Sequence, residues 1–520
     1  MSLRNRLVLS IIFSCFAVLT GCGGGGISHV ITPPPSGNFT NSNLNGTYVF
    51  SVIGSDVNGF PLQLTGTLTA DGNGSVTGGA FDLNNPNGLG VGNLSIGSGS
   101  TYGVTADGRG TATVNTSSGT FGFDFVLTSS EHGLITEFDN GGTGSGALDL
   151  QTAVSQTQLA QPYAVSLTGF DSGLSPMATL AAFTLDGAGT MSNGVQDVND
   201  SETVLAQLTL SGSLLVGATG APSVAQLITQ TTLGTLSFDV YVIDANHLKF
   251  IETDSAAFLV GDAFPQQTSV AAATNVFTVA GVDFTAGFPF VAGGFLITDG
   301  NGNVSSASSE DLNDGGTVTT GIGFAGLYTA LVNGRSTMTL TGFNNASLAS
   351  TTTFAVYPSA GGLQLLEIDS SGITSGVAMP QTSTTLASGQ GYGLNLTGIN
   401  TNGGEEDDIA EFTNTNGSFS GLVDFNDLGI LNGKQTFTGT YTADSTNSGR
   451  GQVTSGAFNL ISYVVDNSTT VFIEQDTSQV GVGAFQSQNA SANSNLAAGH
   501  LGALRLKPGV KPAKGNLKRR

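Results

Sequence analysis

The sequence predicts an all-β fold made of four tandem antiparallel β-meander domains, each with about eight strands. The first supporting observation is the composition: 76 Gly and only 14 Pro among 520 residues favour tight hairpins, because Gly supplies positive φ angles. The second is a set of three sequence landmarks that recur at near-constant spacing. The third is the succession of short β-forming runs and turns inside each repeat.

The repeat is defined by three landmarks in one register. An aromatic residue in an opening strand recurs at intervals of 115, 114 and 115 residues, at Tyr48, Tyr163, Phe277 and Tyr392. An Asp-x-Asn element recurs at intervals of 115, 114 and 113 residues, at Asp82/Asn84, Asp197/Asn199, Asp311/Asn313 and Asp424/Asn426. A Glu-x-Asp element recurs at intervals of 115, 115 and 107 residues, at Glu137/Asp139, Glu252/Asp254, Glu367/Asp369 and Glu474/Asp476. Since the landmarks are independent, the chain contains four copies of one unit.

Short strands are predicted throughout the first copy. Phe121, Phe123 and Phe125 alternate with Gly122 and Asp124, which is the period-two pattern of a strand with one buried face. The predicted strands are 48–53, 62–69, 75–81, 101–105, 111–115, 121–127, 134–138 and 147–150. An up-and-down barrel, closed by pairing of the opening strand with the strand near 146–151, is favoured over a two-sheet sandwich or an eight-bladed propeller.

The repeats divide the chain into seven predicted segments. They are a lipoprotein signal peptide at 1–21, a flexible Gly/Pro tether at 22–43, β repeats at 44–151, 159–267, 273–381 and 388–488, and a disordered basic tail at 489–520. Because the linkers are short and polar, we expect the domains to lie like beads on a semi-flexible rod, with modest contacts.

The N-terminus carries the pattern of an exported protein. Arg4 and Arg6 precede the apolar run 7–18, which has the length of a signal-peptide core, and Leu19-Thr20-Gly21-Cys22 follows. This tetrapeptide resembles the lipobox of bacterial lipoproteins. The alternatives are a non-cleaved anchor and an ordinary secretory signal.

The lipobox resemblance implies that Cys22 receives a lipid and becomes the first residue of the mature chain. The only other cysteine, Cys15, would then be removed, so the domains would fold without a disulfide. Gly23 after the cysteine is similar to the outer-membrane sorting pattern of such lipoproteins. The expected location is therefore the cell envelope, lipid-anchored, at the outer membrane and either periplasmic or surface-exposed.

The charge is unevenly distributed along the chain. Of the 14 basic residues, seven lie in 505–520 and two precede Cys22, which leaves five basic residues against 37 acidic ones, a net of −32. Such a field disfavours nucleic acid as a partner and favours solubility or affinity for divalent cations. The basic segment is interpreted as a solvated tail, with contact to anionic lipid or lipopolysaccharide phosphates as the alternative.

The four Glu-x-Asp elements are the candidate ligand-facing carboxylates. The functional interpretation is an acid pair in a ligand cavity, with residues Glu137, Asp139, Glu252, Asp254, Glu367, Asp369, Glu474 and Asp476. The structural interpretation, which is favoured, has these carboxylates capping backbone N–H groups or pairing with the Gly-Arg turns at Arg109, Arg335 and Arg450.

Calcium is the only candidate cofactor. Its best local site is the acidic run Glu405, Glu406, Asp407 and Asp408, which the sequence places in a loop of the fourth copy. A solvated acidic loop tip is the favoured alternative. The Asp-x-Asn elements are interpreted as hairpin turns rather than calcium ligands.

No catalytic constellation is found in the sequence. The four histidines do not fall in a recognised enzyme motif, and His132 and His247, which align between copies, are interpreted as turn residues. Residues 43–488 resemble the uncharacterised Gly- and Asn-rich repeat lipoproteins of bacteria. The leading hypothesis is a non-enzymatic envelope protein that displays β domains for adhesion or for binding a ligand such as a glycan. A structural spacer or assembly component without a small-molecule ligand is second, and an envelope hydrolase third.

Overall fold

The structure is a computed structural model that describes residues 37–488 apart from 87–91, 202, 218–221, 230–233, 285–286, 344–350, 401–402 and 447. The predicted signal peptide, residues 22–36 of the predicted tether and the predicted tail at 489–520 therefore lie outside the described residues. The described chain contains 33 β-strands and two short 3-10 helices, Asn41–Asn43 and Gln156–Leu159.

The first copy forms barrel 1, an antiparallel meander of nine strands. These are β1 (Asn45–Asp56), β2 (Pro61–Asp71), β3 (Val76–Asn84), β4 (Gly92–Ser95), β5 (Thr101–Val104), β6 (Arg109–Thr116), β7 (Gly119–Leu127), β8 (His132–Glu137) and β9 (Gly142–Leu150). Its sheet order begins at β4 and ends at β5, and a bridge between Ser75 and Thr101 brings the two ends together. Strands β4 and β5 thus act as one interrupted strand.

The other three copies are closed eight-stranded barrels. Barrel 2 contains β10 (Pro162–Asp171), β11 (Pro176–Leu185), β12 (Thr190–Asp200), β13 (Thr203–Leu215), β14 (Ser223–Thr229), β15 (Thr235–Asp244), β16 (His247–Glu252) and β17 (Ala257–Pro265). Barrel 3 contains β18 (Ala272–Asp283), β19 (Phe288–Asp299), β20 (Asn303–Asp314), β21 (Thr317–Tyr328), β22 (Ser336–Thr341), β23 (Thr351–Ser359), β24 (Gly362–Glu367) and β25 (Gly372–Pro380). Barrel 4 contains β26 (Gln390–Asn400), β27 (Glu405–Thr415), β28 (Ser418–Asp427), β29 (Ile430–Ala443), β30 (Arg450–Ser455), β31 (Asn459–Val464), β32 (Thr469–Glu474) and β33 (Gln479–Ser487).

The predicted fold class and its closing pair are confirmed. In barrel 1 the opening strand β1 pairs with β9 in the register Tyr48 to Leu150 and Val52 to Gly146. The same first-to-last pairing closes barrels 2, 3 and 4. Closure satisfies the backbone N–H and C=O groups that an open sheet would leave at its edges.

Each barrel encloses its own apolar core. The aromatic residue of the first landmark lies in that core in every copy and is at most 1% exposed: Tyr48, Tyr163, Phe277 and Tyr392. The alternating run Phe121, Phe123 and Phe125 faces the interior of barrel 1, as its period predicts. The hydrophobic interior is therefore formed four separate times.

The barrels also pack against one another, and the described residues belong to one compact unit. A second set of apolar clusters lies between the outer faces of the barrels, at four junctions that we name by the barrels they join. These clusters centre on Tyr241 at junction 1–2, Tyr357 at junction 2–3, Tyr463 at junction 3–4 and Ile409 at junction 4–1. Because barrel 4 also contacts barrel 1, the four barrels form a closed ring.

The prediction of loosely connected beads is therefore wrong. It followed from the polar linkers, whereas the contacts are made by the strands. Outward-facing residues such as Val49, Leu180 and Ile461 are fully or almost fully buried because a neighbouring barrel covers them. Burial of these apolar side chains between neighbouring barrels stabilises the ring as a single body.

Candidate functional site

The asparagine of each Asp-x-Asn element fastens one barrel to the next. At junction 2–3 the Asn199 side-chain amide donates to the backbone carbonyls of Glu367 and Gly372, both at 2.9 Å. These acceptors flank the Glu-x-Asp turn, so the second landmark of one copy binds the third landmark of the next. Equivalent hydrogen bonds run from Asn84 to Glu252, from Asn313 to Glu474 and from Asn426 to Glu137.

The aspartate of the same element is the centre of a buried polar cluster. At junction 2–3 Asp197 is 0% exposed and accepts hydrogen bonds from Arg335 of barrel 3, from Nε at 2.5 Å and from Nη2 at 3.0 Å. Tyr357 Oη of barrel 3 donates at 2.5 Å and the backbone N–H of Gln207 at 3.0 Å. Four donors on one carboxylate hold the guanidinium and the phenol in fixed positions.

Junction 3–4 repeats this cluster. Asp311 accepts hydrogen bonds from Arg450 Nε at 2.8 Å and Nη2 at 3.0 Å, and from the Tyr463 hydroxyl. The backbone N–H of Gly321 takes the place of Gln207, and both residues have a positive φ at a break in the ladder. The backbone geometry that aims a donor at the carboxylate is thus conserved between these copies.

Junction 4–1 keeps the arginine and lacks the tyrosine. Arg109 Nη2 of barrel 1 donates to Asp424 of barrel 4 at 2.8 Å. Val126 pairs with Arg109 in the ladder as Tyr463 pairs with Arg450, so a valine stands where the tyrosine would be. A second carboxyl, Asp124, lies beside this pair, and burial together with Asp424 raises its pKa to about 7.

Junction 1–2 keeps the tyrosine and lacks the arginine in sequence. Tyr241 Oη of barrel 2 donates to Asp82 of barrel 1 at 2.7 Å, whereas 217–220 carries no arginine. Asp239 lies next to Asp82, and burial and that neighbour raise the pKa of Asp239 to about 7. Junctions 2–3 and 3–4 therefore share a complete cluster, and the other two are variants of it.

The last glutamine of each copy makes a further repeated contact with the next barrel. Gln151 Nε2 donates to the carbonyl of Val242 and Gln381 Nε2 to that of Val464, both at 2.8 Å. At the end of barrel 4, Gln488 Nε2 donates to the Leu127 carbonyl of barrel 1 at 3.2 Å. Ring closure thus uses the contacts that join consecutive copies.

Open grooves lie over the two complete clusters. The groove at junction 2–3 has a volume of about 370 Å³, and the one at junction 3–4 about 600 Å³. The larger groove has an apolar side from Phe295, Ile297 and Ala307 of barrel 3 and a polar side from Asp444 and Thr446 of barrel 4. The smaller groove is lined at some matching positions, including Val195, Thr329 and Arg335, which correspond to Ser309, Asp444 and Arg450 of the larger one.

The glutamates of the predicted carboxylate pairs point into the barrels. All four are buried, and one carboxyl oxygen of Glu137, Glu252 and Glu474 finds no hydrogen-bond partner among the described residues. Burial, reinforced by the neighbouring aspartate, raises the pKa of Glu252 to about 9 and that of Glu367 to about 8. Glu252 and Glu367 are therefore mostly protonated at neutral pH.

The aspartates of the same pairs cap backbone groups at the end of the hairpin. Asp139 accepts from the backbone N–H groups of Gly122 at 2.8 Å and Gly141 at 2.6 Å. Asp254 and Asp369 make the equivalent contacts. In these three copies the capping role expected of the structural interpretation is present. The arginines pair with a different carboxylate, the Asp-x-Asn aspartate of the neighbouring copy.

The acidic run at 405–408 does not lie in a loop, so that prediction is wrong. It begins strand β27, and Glu405, Asp407 and Asp408 are at most 3% exposed. Thr143 Oγ1 of barrel 1 donates to Asp407 at 2.9 Å, and Ser55 donates to Glu405. Burial and Glu405 raise the pKa of Asp407 to about 8. No group of three or more His, Cys, Asp and Glu arranged to hold a metal ion occurs in the described part of the chain.

The net charge of −32 overstates the surface charge of the barrels. The chain has 37 acidic residues, and 17 of those that the structure describes are buried. Several of these have a raised pKa because burial disfavours the charged form, among them Glu137, Asp408 and Glu474. The surface is therefore much less acidic than the composition indicates.

The interpretation of the aligned histidines as turn residues is wrong. His132 begins β8 and is 3% exposed, with Nδ1 2.6 Å from Asp149 and Nε2 2.7 Å from Gln486 of barrel 4. Burial opposes the charged form of His132, but the Asp149 carboxylate more than offsets this and raises its pKa. His247 and the fully buried Lys249 both contact Asp262 in barrel 2.

The residues that form the junctions are recognisable in the sequence, whereas the junctions themselves are not. The Asp-x-Asn and Glu-x-Asp elements have the composition of local turns, yet they bind each other across copies. The signal that could have found this is the equal spacing of the two elements together with the Gly-Arg turns. The predicted lipidation site, Cys22, lies outside the described residues.

Comparisons with known proteins give no family assignment. No protein-family model and no curated protein matches the chain. Among solved structures, a double mutant of the vaccine antigen transferrin-binding protein B from Haemophilus parasuis matches with 10% identity, over 69% of this chain and 83% of that chain, with a TM-score of 0.15. A match at this TM-score does not relate the two folds.

The described residues contain no helix that is both long enough and apolar enough to cross a membrane.

Proposed function

We propose that this protein is a non-enzymatic binding protein of the cell envelope, anchored by a lipid on Cys22, that takes up a ligand in the grooves between its barrels. The observation that carries the proposal is the recurrence of one groove over one buried cluster at junctions 2–3 and 3–4. Two copies of the unit keep an arginine and a positive-φ backbone donor beneath an open groove, which supports a role for the groove. Gly23 after Cys22 supports an outer-membrane location.

The grooves have the size and rigidity of small-ligand sites. Their volumes of about 370 and 600 Å³ fall within the range typical of ligand pockets. The guanidinium groups of Arg335 and Arg450 lie at the bottom of the grooves and are held by bidentate contacts to Asp197 and Asp311. Because these side chains are already fixed, they lose little conformational entropy when a ligand binds.

The groove chemistry suits a glycan. A sugar ring presents apolar C–H faces and a rim of hydroxyls. At junction 3–4 an apolar side with Phe295 and Ile297 faces a side of hydroxyl and carboxylate groups from Thr446, Ser448 and Asp444. The two sides match the two kinds of sugar surface.

Glycan-array binding of the purified full-length protein in mild detergent, with and without calcium, tests this proposal. Ala307 and Ala330 are exposed and line the two grooves, so Ala307→Trp with Ala330→Trp should fill both and abolish binding. Ala256→Trp, at an exposed turn of barrel 2, is the matched control and should bind normally. Binding that survives the double variant would contradict the groove as the site.

A structural spacer or assembly component is the second candidate. It is favoured by the barrel interiors, which are filled by apolar clusters in all four copies. A flat array response with correct export and folding would support this role. An envelope hydrolase is the third candidate, and the histidines give it no support because both described ones are buried against carboxylates.

A further inference from the structure

The two grooves differ in one charged group at the rim. In the groove at junction 3–4 the turn between β29 and β30 provides Asp444, whose side chain is 27% exposed. The corresponding residue of the groove at junction 2–3 is the uncharged Thr329, and both residues lie six positions before the arginine of their groove. Arg450 and Arg335 are each paired with the aspartate beneath them, so these pairs do not distinguish the grooves. Asp444 therefore gives the groove at junction 3–4 one additional negative charge.

The Asp444 carboxylate is fixed by its own turn. Its Oδ1 accepts hydrogen bonds from the Thr446 backbone N–H at 3.0 Å and from the Thr446 hydroxyl at 3.3 Å. Its Oδ2 lies 3.5 Å from Arg450 Nη1, which is longer than a normal hydrogen bond. The Thr446 N–H lowers the pKa of Asp444, so this group is charged at neutral pH. Since a carboxylate has about four acceptor positions, Asp444 can still accept a strong hydrogen bond from a ligand.

The rim of the groove at junction 2–3 is neutral. Arg335 Nη1 donates to Thr337 Oγ1 at 2.7 Å, and the Thr337 backbone N–H donates to Thr329 Oγ1 at 2.9 Å. Hydroxyl groups thus stand here where the other groove has a carboxylate. The described residues that line this groove also include the apolar Val195, Leu208, Ala330 and Val332. An uncharged ligand suits this groove, because no described rim carboxylate would attract a cation.

A protonated amine is the ligand group to which Asp444 responds most strongly. An ammonium group has three donors, and its hydrogen bond to a carboxylate is about twice as strong as a neutral one. The side chains of Thr446 and Ser448 line the same side of the groove and offer further oxygen acceptors. An amino sugar combines such an ammonium group with an apolar ring face, which fits the opposite side with Phe295 and Ile297.

We propose that the groove at junction 3–4 selects glycan units that carry a free amino group, whereas the groove at junction 2–3 takes uncharged units. This inference rests on the proposed function, because it assigns a class of sugar to the same grooves. Discrimination arises from one group that attracts the correct ligand and has no equivalent in the other site. The two grooves together distinguish a partly deacetylated glycan from a fully acetylated one.

Isothermal titration calorimetry of the full-length protein in mild detergent tests the selectivity. The probes are the hexamers of glucosamine and of N-acetylglucosamine, at about pH 6, where both the amine and Asp444 are charged. Ala330→Trp fills the groove at junction 2–3, so that only the other groove binds, and Ala307→Trp does the reverse. In Ala330→Trp the glucosamine hexamer should bind about tenfold more tightly, which is the difference between a charged and a neutral hydrogen bond. In Ala307→Trp the two hexamers should bind equally.

Two substitutions should move this preference between the grooves. Asp444→Asn, added to Ala330→Trp, keeps an oxygen for the Thr446 N–H and should abolish the tenfold preference while preserving affinity for the N-acetylglucosamine hexamer. Thr329→Asp, added to Ala307→Trp, should create a preference of about the same size in the groove at junction 2–3. Circular dichroism should show the same β spectrum for all variants.

A preference for the glucosamine hexamer that survives Asp444→Asn would overturn the inference and leave the proposed function intact. Equal affinity of the two hexamers in Ala330→Trp would have the same consequence. Displacement of the glucosamine hexamer by an equal concentration of spermidine would also overturn it, because an amine without a sugar ring would then be sufficient. Binding of neither hexamer to the wild type would overturn the inference, and the glycan array would then decide separately on the proposed function.

Discussion

Replacing the Asp-x-Asn aspartate by asparagine should lower the free energy of unfolding by an amount that depends on how deeply its arginine partner is buried. In Asp197→Asn the Arg335 guanidinium, whose side chain is only 7% exposed, loses its counter-charge. Breaking a buried pair in this way costs about 3–5 kcal/mol. In Asp311→Asn the partner Arg450 is 21% exposed, so solvent compensates part of the loss and we expect about 2 kcal/mol.

The same substitution at junction 1–2 serves as the matched control. Burial raises the pKa of Asp82, and its partners are the Tyr241 hydroxyl, the Asn93 amide and the Asp239 carboxyl, none of which is a cation. Asp82→Asn should therefore cost no more than about 1 kcal/mol. Urea unfolding gives the magnitudes, and hydrogen exchange in β12 and β24 localises the change to junction 2–3.

An equal cost at Asp82 and Asp197 would refute this reasoning, because only Asp197 has a guanidinium partner. A second arm asks whether charge or shape matters. Combining Asp197→Leu with Arg335→Met removes both charges, and stability should return to within about 1 kcal/mol of the wild type. Failure to recover would mean that the hydrogen-bonded geometry itself holds the barrels together.

Three further predictions concern pH and closure. Glu252→Gln should have the stability of the wild type below about pH 4 and be more stable than the wild type above it, by about 3 kcal/mol at pH 7. The reason is that the wild-type carboxyl, with a pKa of about 9 in the folded state, ionises at pH 7 only on unfolding. Urea unfolding at several pH values tests this, and a stability difference that does not change with pH would contradict it. Asn426→Ala should make the amides of β8 exchange faster, because the buried carbonyls of Glu137 and Gly142 lose their hydrogen-bond donor, which costs about 1–3 kcal/mol for each carbonyl. The control Asn199→Ala should leave β8 protected from exchange. Equally fast exchange of β8 in both variants would contradict a local effect at junction 4–1. His132→Gln should lower stability most at acidic pH and least once the pH exceeds the raised pKa of His132, since the wild-type gain is lost as that group deprotonates; a pH-independent loss in thermal melts would contradict the ion pair.

The fold could be predicted from the sequence because each element of it is local. Period-two runs such as Phe121 to Phe125 fix the inner face of a strand, and Gly-rich turns fix the hairpins. The interrupted strand of barrel 1 was missed because β4 is only four residues long and follows 87–91 without a strong β pattern.

The junctions could not be predicted because they depend on which copy lies beside which. Arg335 pairs with an aspartate 138 residues earlier in the chain, whereas Arg109 pairs with one 315 residues later. Nothing in the local sequence around either arginine distinguishes these two cases. The burial of the acidic run is unpredictable for a similar reason, since Thr143 of barrel 1, distant in sequence, lies against Asp407.

Ring closure sets the number of units that this chain can contain. Each junction joins two different faces, and such head-to-tail contacts give a ring only when the successive rotations sum to a full turn. Four similar junctions meet this condition at about a quarter-turn each. A gene that gained or lost one unit by duplication or deletion would encode a spiral with two uncovered apolar faces. Selection on this architecture therefore acts on unit count as directly as on any side chain.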